Sequence, residues 1–271
     1  MEYNRLFRPT FNYLEEVYQD CLRRYRNNPK YNVDYRRALN DINNGTKILE
    51  SDEEVDTYIA LYGAHHYYKL ISAFDALDLS KFTGKSFDIL SYGCGPATET
   101  CVLINYLVSN QINLSIESLT LIEPSITSLQ RGMQYVQSAM IQRQADLKIK
   151  KINKALEELE VSDVSSQPQT VKLHVFSNIL DVEQINLDKL AMLLKNSQKG
   201  ANYFICVSPN FSTAQQRIDN FRNIMSKLFE ISDISVTSED VVGTVWLMTA
   251  GRFVDNYHID RYQRIFMTYV S

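Results

Sequence analysis

Nowhere does the chain run through eighteen consecutive apolar residues, the least that would span a bilayer as a helix, so no membrane contact is expected. Its start, Met1-Glu2-Tyr3-Asn4-Arg5, lacks the basic-then-apolar layout of a secretion signal, and a cytoplasmic location is expected. Cysteine is scarce. Cys21, Cys94, Cys101 and Cys206 form no CxxC pair and stand beside no histidine cluster, which points away from both a disulfide framework and a zinc site. Of only four histidines, His65 and His66 alone adjoin, and no metal-ligand set is read. There is no internal repeat, no low-complexity tract and no large charge of one sign. Among 271 residues, 28 are basic and 32 acidic, a formal balance of −4, which excludes a disordered polyelectrolyte and a dedicated nucleic-acid domain. What is present is 45% hydrophobic residues, ample for one large core or for one core with an appended subdomain.

The first eighty or so residues carry apolar side chains at three- and four-residue spacing and read as helices. One is expected from about Thr10 to Arg26, with Tyr13, Leu14, Val17, Tyr18 and Cys21 on one stripe and Asn27-Asn28-Pro29 as its stop. A second is expected over Val33 to Leu49. Ser51-Asp52-Glu53-Glu54 opens a third, ending near Leu77: Ser51 caps the free N–H groups and the acids suit the positive end of the helix dipole.

After Gly84 short apolar runs alternate with amphipathic stretches, the texture of a doubly wound α/β sheet. Strands are expected at Phe87 to Ser91, Ser118 to Ile122, Leu147 to Ile152, Val171 to Phe176 and Tyr203 to Val207. Helices are expected at Thr98 to Ser109, Ser125 to Arg143, Ile185 to Asn196 and Thr213 to Phe229. Crossovers of this length suit parallel strands better than hairpins. Ser162 to Gln169 reads as an exposed loop. In the tail, Ile231 to Thr237 and Tyr262 to Val270 read as strands forming a hairpin at one sheet edge, with a Gly-containing insertion around Trp246 between them.

The most informative segment is Phe87-Asp88-Ile89-Leu90-Ser91-Tyr92-Gly93-Cys94-Gly95-Pro96-Ala97-Thr98-Glu99-Thr100. An apolar strand runs into a Gly-X-Gly turn and then a helix, the place where open α/β sheets bind nucleotides. A tight structural turn is the alternative. The second strand ends in Glu123-Pro124, where a carboxylate offers two oxygens to the hydroxyls of a ribose; otherwise Glu123 is a helix-initiating acid.

Leu90-Ser91-Tyr92-Gly93-Cys94-Gly95-Pro96 resembles the first motif of the class I S-adenosylmethionine-dependent methyltransferases. Glu123 matches their ribose-binding acid, Asn153-Lys154 falls where an adenine-contacting residue follows strand three, and Val175 to Asp181, with Ser177 and Asn178, resembles the segment after strand four. The likeness covers about Phe87 to Val207. It implies a Rossmann-like seven-stranded methyltransferase sheet (84–271) with an N-terminal helical cap (1–83), and S-adenosylmethionine as cofactor. The cofactor would lie on Tyr92, Gly93, Cys94, Gly95, Glu123, Pro124, Asn153, Lys154, Ser177 and Asn178. Two positions depart from the pattern: Ser91 stands where many members have an acid, and Ala97 where many have a third glycine. A nicotinamide-dependent dehydrogenase shares Gly93-Cys94-Gly95, but Thr98 occupies its third glycine position and the interval to Glu123 is long.

Methyl transfer needs positioning more than acid–base help. Asn178 would orient the acceptor, and Asp181 is either a base or a helix cap. The sequence lacks the Asn-Pro-Pro-Tyr or Asp-Pro-Pro-Tyr run of many amine-directed nucleic-acid methyltransferases. Within Tyr62-Gly63-Ala64-His65-His66-Tyr67-Tyr68, His65 and His66 are candidate proton acceptors, and Tyr62 and His66 a candidate substrate surface; simple helix packing is the alternative. Basic runs at Arg23 to Lys47 and Arg131 to Lys154 could meet RNA phosphates or be solvated helix faces. A small-molecule or protein acceptor is favoured over RNA, and a binding protein that keeps the fold without turnover is the competing reading. No oligomeric state is legible.

Overall fold

The computed structural model describes residues 7–30, 34–140 and 147–270; Met1 to Arg5, Val33 and Arg143 lie outside them. The first expected helix forms as a five-residue π turn, Leu14–Tyr18, running straight into α1 (Gln19–Asn27), with Tyr13, Val17, Tyr18 and Cys21 buried along it. The second is shorter than its periodicity predicts. Helix α2 (Tyr35–Asp41) gives way to a 3-10 turn because Asn43, Asn44 and Gly45 all adopt positive φ, which an α-helix cannot continue. The third, α3 (Asp52–Leu77), starts where expected: the Ser51 side chain accepts the Glu54 N–H, and three acids fill the first turn. Asp78 in the left-handed conformation ends it.

The sheet is built from β1 (Ser86–Tyr92), β2 (Ser115–Ile122), β3 (Lys148–Ile152), β4 (Val171–Ser177) and β5 (Gly200–Ser208), joined by α4 (Thr98–Ser109), α5 (Ile126–Ala139), α6 (Val161–Val164) and α7 (Leu187–Ser197). Helix α5 stops short of the expected Arg143 because Met140 turns extended and pairs with Phe7. Part of the loop expected at Ser162 to Gln169 is the single turn of α6. After α8 (Ser212–Leu228) come β6 (Ile231–Thr237), β7 (Val241–Leu247), β8 (Arg252–Ile259) and β9 (Tyr262–Val270). The seven-stranded order is β3-β2-β1-β4-β5-β9-β6, with β1 to β5 parallel and β9 antiparallel to both its neighbours. The two C-terminal strands pair at one sheet edge as expected: β9 lies between β5 and β6, antiparallel to both, and β6 takes the edge. The intervening β7–β8 forms its own two-stranded sheet and lies on α3, where the Tyr68 ring packs against Gly243 and Tyr257 meets the His65 ring edge-on at 5.9 Å.

Side chains alternate across the sheet. Phe87, Ile89, Leu119, Leu121, Leu173 and Val175 face one core that is shared with α1, α3 and α4, while Leu90, Tyr92, Ile122 and Phe176 face a second core with α7 and α8. The N-terminal helices are tied across it: the Tyr13 N–H donates to Asn105 Oδ1 at 2.9 Å, and buried Asp56 of α3 accepts from Arg24 of α1 at 2.6 Å and Arg131 of α5 at 3.1 Å.

Register sets the site. Tyr92 pairs with both Ile122 and Phe176, and Ile122 with Ile152. The next residues, Gly93, Glu123 and Asn153, leave the sheet side by side at its carboxyl edge, beside Ser177, the last residue of β4. Because β1 is flanked by β2 and β4, this edge is also the topological switch point, where α/β sheets open a crevice.

Gly132 on α5 makes the glycine turn possible. Its backbone comes so close that a Cβ there would lie 2.7 Å from the Pro96 carbonyl carbon and 2.8 Å from the Ala97 nitrogen. Glycine to alanine in a helix ordinarily stabilises by about 0.5–1 kcal/mol, so the sign is diagnostic. Gly132→Ala is expected to lower the urea midpoint, with a net loss of about 1–3 kcal/mol from overpacking; a gain would show that α5 does not press on the turn.

Candidate functional site

The turn after β1 is held by main-chain bonds. The Cys94 N–H donates to Ile122 O at 2.9 Å, and the Ala97 N–H returns to Cys94 O at 2.8 Å. Gly93 (φ 58°) has its open side filled by Ile179, whereas Gly95 (φ 50°) has no heavy atom within 4 Å of where a Cβ would stand. That space is the cradle a ligand would fill. Ala97 takes the left-handed conformation (φ 56°) that a glycine would adopt more easily, and its methyl group abuts Gly132. The missing third glycine is thus accommodated from the neighbouring helix.

Glu123 is buried, and its two oxygens divide their work: Oε2 accepts the Gly95 N–H and Oε1 the Ser125 N–H, both at 2.9 Å. Each oxygen keeps a second acceptor site. Burial raises its pKa against the lowering effect of those two N–H groups. Asn153 donates to the main-chain oxygens of Glu123 at 3.0 Å and Pro124 at 2.7 Å, so it braces this loop. Ser125 also donates to Leu49 O, and Thr127 to Glu50 O at 3.2 Å, which fastens the segment before α3 over the same edge.

Helix α3 spans the carboxyl edge and turns Tyr58, Tyr62, His66 and Lys69 towards it at three- and four-residue spacing. Tyr58 and Tyr62 lie 5.4 Å apart between ring centres, and His66 stacks on Tyr62 at 6.0 Å. Burial raises the Tyr58 hydroxyl, and the nearby carboxylates of Glu99, Glu123 and Asp181 raise it further. His65 and His66 are pushed towards the neutral form by burial and then by Lys69. Lys69 carries no signal in the sequence beyond its place on this helical face. Its buried Nζ donates to Asn178 Oδ1 at 2.8 Å, across the cleft, and burial lowers its pKa to about 8.

Asn178 itself has positive φ (54°), donates its amide to Ser177 Oγ at 2.9 Å and is anchored by its N–H on Val207 O. Asp181 is not a helix cap: α7 begins at Leu187 and is capped by Asn186. The Asp181 Oδ1 atom is buried without a hydrogen-bond partner, and burial raises its pKa. Arg217 fixes the surrounding turn by donating to the carbonyls of Leu180, Val182 and Ile185, each at 2.8 Å.

Three side chains named from the sequence are committed elsewhere. Tyr92 points into the core, bonded to His174 Nδ1 at 3.0 Å and stacked on Phe176 at 4.3 Å, and offers only its main chain. Lys154 pairs with Asp163 at 2.8 Å. Cys94 is buried, with its thiol held in the neutral form by burial and by Glu99 and Glu123. Ser91, at the departed acid position, turns to Thr100 Oγ1 at 3.0 Å. Sequence reasoning passed over Glu99, whose carboxylate is buried at the start of α4; an acid in a first helical turn reads as a dipole partner.

Part of each basic run is paired with acids. Arg23 and Arg24 pair with Asp20, Arg24 also with Asp56, Lys30 with Asp41 and Lys47 with Glu54; in the second run Arg131 meets Asp52 and Asp56. An open cleft of about 620 Å³ lies apart from the glycine turn and Glu123, between Glu15, Asp20, Arg23 and Arg26 on one side and Phe253 on the other. Among the described residues no helix is long and apolar enough to cross a membrane.

No protein-family model matches the chain, and no curated protein matches it in sequence. Solved structures do resemble it. The CMeT domain of the citrinin polyketide synthase is 13% identical over 74% of this chain, with a TM-score of 0.46; the chain spans about half, 51%, of that protein. The methyltransferase domain of bacterial CtHen1 is 11% identical over 73% of this chain and 97% of its own, at 0.47. Phosphoethanolamine N-methyltransferase 2 of Haemonchus contortus, solved with phosphomonomethylethanolamine and S-adenosylhomocysteine, is 11% identical over 83% of this chain and 59% of its own, at 0.43. The strand order β3-β2-β1-β4-β5-β9-β6, with its single antiparallel insertion, carries the conclusion: the chain has the Rossmann-like fold of the class I S-adenosylmethionine-dependent methyltransferases.

Proposed function

We propose that the chain binds S-adenosylmethionine over the glycine turn and transfers its methyl group to an acceptor held between α3 and the turn after β4. The observation that carries this reading is the open space at Gly95 beside the half-used carboxylate of Glu123. A group of the right chemistry fits there: the two oxygens of Glu123 suit the paired hydroxyls of a ribose, and a cleft rich in carboxylates suits a cation. When bound, S-adenosylmethionine supplies an electrophilic methyl group on sulfur, and displacement leaves a neutral thioether. Gly93 to Gly95 would receive its amino-acid end, and the loop braced by Asn153 would face the adenine. Asn178 and Ser177 would stand beside the transferred methyl, with Asn178 positioning the acceptor.

His66 and Asp181 line the acceptor side, where the neutral imidazole or the Asp181 carboxylate takes up the proton an acceptor loses, whereas His65 is turned to Tyr257 of the β7–β8 sheet. Tyr62 and His66 close over the acceptor from α3. The overall acidic balance, with part of each basic run paired to acids, supports a small-molecule or protein acceptor over RNA. A second reading, binding without turnover, is favoured by one contact: Lys69 already takes the Asn178 oxygen that an acceptor would use. Incubation with labelled S-adenosylmethionine and fractionated cell extract separates the two, since transfer of label to any fraction supports the enzyme and binding without transfer supports the second reading.

Two outcomes follow. Calorimetry is expected to give one bound S-adenosylmethionine per chain, weakened at least tenfold by Glu123→Ala, because a hydrogen bond to a charged group contributes about 1.5–3 kcal/mol; unchanged affinity would move the ribose elsewhere. For Lys69, the folded pKa of about 8 lies below the unfolded value. The cost of burying its charge is full below pH 8 and disappears as the pH rises past about 10.4, a range worth about 3 kcal/mol. The stability of Lys69→Met relative to the wild type, measured by urea unfolding, should therefore fall by about that much between pH 7 and 10.5. A flat difference would show that Lys69 is not desolvated.

A further inference from the structure

The β1 strand ends without an acid facing the ligand, because Ser91 is spent on Thr100. The next turn of chain supplies one. Glu99 stands in the first turn of α4, only 4% exposed, and its Oε1 is out of water with no hydrogen-bond partner. An acid at a helix N-terminus is ordinary on a surface, where dipole and solvent both favour it. Here the solvent is gone and the oxygen meets no donor. Nor does Glu99 join any ion pair formed among the described residues, so a bare buried acceptor remains where native interiors almost always provide a partner.

Its surroundings locate it in the cofactor cleft. Its charge acts on the Tyr58 hydroxyl from α3, on the Cys94 thiol of the glycine turn and on Cys101 along α4, and it and Glu123 raise the charge cost of the same space. Asp181 adds a third carboxylate facing Tyr58. Lys69, the nearest cation on α3, is turned to Asn178 instead. This corner gathers three carboxyl groups, and the unpartnered oxygen of Glu99 meets none of the donors that serve Glu123.

We propose that Glu99 is the counter-charge for the primary ammonium of the cofactor's amino-acid end, doing from the start of α4 what Ser91 cannot do from the end of β1, with Tyr58 closing over the contact. The assignment rests on the reading that the chain binds S-adenosylmethionine. It explains why a carboxylate oxygen without a partner persists in the interior: the ligand, not the protein, completes it. In the free protein its charge is a burden that grows as the pH rises above the unfolded carboxylate value, since burial raises the folded pKa and the folded chain holds its proton longer.

The test compares Glu99→Gln, which keeps the shape and removes the charge, with the wild type against three ligands. S-adenosylmethionine and S-adenosylhomocysteine both carry the ammonium; 5′-methylthioadenosine keeps the nucleoside thioether and lacks the amino-acid end. Calorimetry should show the first two weakened at least tenfold and the third unchanged, which also verifies that the variant is folded. Without ligand, Glu99→Gln should melt higher than the wild type at pH 7.5 and no higher at pH 4. Weakening of S-adenosylmethionine alone would place the sulfonium, not the ammonium, on Glu99 and overturn the proposal. Equal weakening of all three, or of none, would also overturn it. A wild type that binds none of the three would instead bring down the cofactor reading on which the proposal stands.

Discussion

One carboxylate fastens the two loops on which the site is built. Glu123 leaves the end of β2 and accepts the N–H groups of Gly95 and Ser125, so the turn after β1 and the start of α5 are fixed to a single buried group. Parallel register delivers these loops to one edge, but register alone leaves their main-chain N–H groups unpaired. Glu123 satisfies them and still holds an acceptor site on each oxygen, which is how one residue both shapes the cradle and faces its contents. Asn153 and Ser125 extend the same network outward, the first to the adjoining carbonyls and the second to the segment that leads into α3.

The two departures from the familiar glycine motif have local physical answers. Ala97 keeps the left-handed backbone that its position demands, and the room its methyl group needs comes from Gly132 on the neighbouring helix. Ser91 has no charge to offer and is absorbed by Thr100, while a buried carboxylate appears in the first turn of α4. Packing and charge at this turn are therefore distributed over β1, α4 and α5. The cap contributes from the other side: Tyr58, Tyr62 and His66 roof the crevice, and the Lys69–Asn178 bond holds roof to floor.

Much of the fold was legible in the sequence because its signals are local. The five parallel strands and α3 with its Ser51 cap announce themselves by apolar periodicity and capping chemistry. The order of the last strands was not legible, since nothing in Tyr262 to Val270 says that it inserts beside β5 before pairing with β6. The early end of α2 lay hidden in three consecutive positive-φ residues. At the site, Glu123 and Gly95 stood out by position, but Gly132, Glu99 and Lys69 did not. Each acts across a helix packing that brings together residues distant in sequence: Gly132 meets Ala97, and Lys69 meets Asn178. A lone glycine inside the α5 periodicity was the one trace of the first. Tyr92 and Lys154 sat in the right segments, yet their side chains serve the core and Asp163.

The central claim is that the crevice above Glu123 is a binding site for a sulfur-linked adenosine, and its most direct test is a crystal structure of the protein grown with S-adenosylhomocysteine. The account predicts density over Gly95, with both ribose hydroxyls within hydrogen-bonding distance of the Glu123 carboxylate and the adenine beside Asn153. Ligand seated elsewhere, or a Glu123 carboxylate bonded only to Gly95 and Ser125 with the crevice empty at saturating ligand, would contradict it.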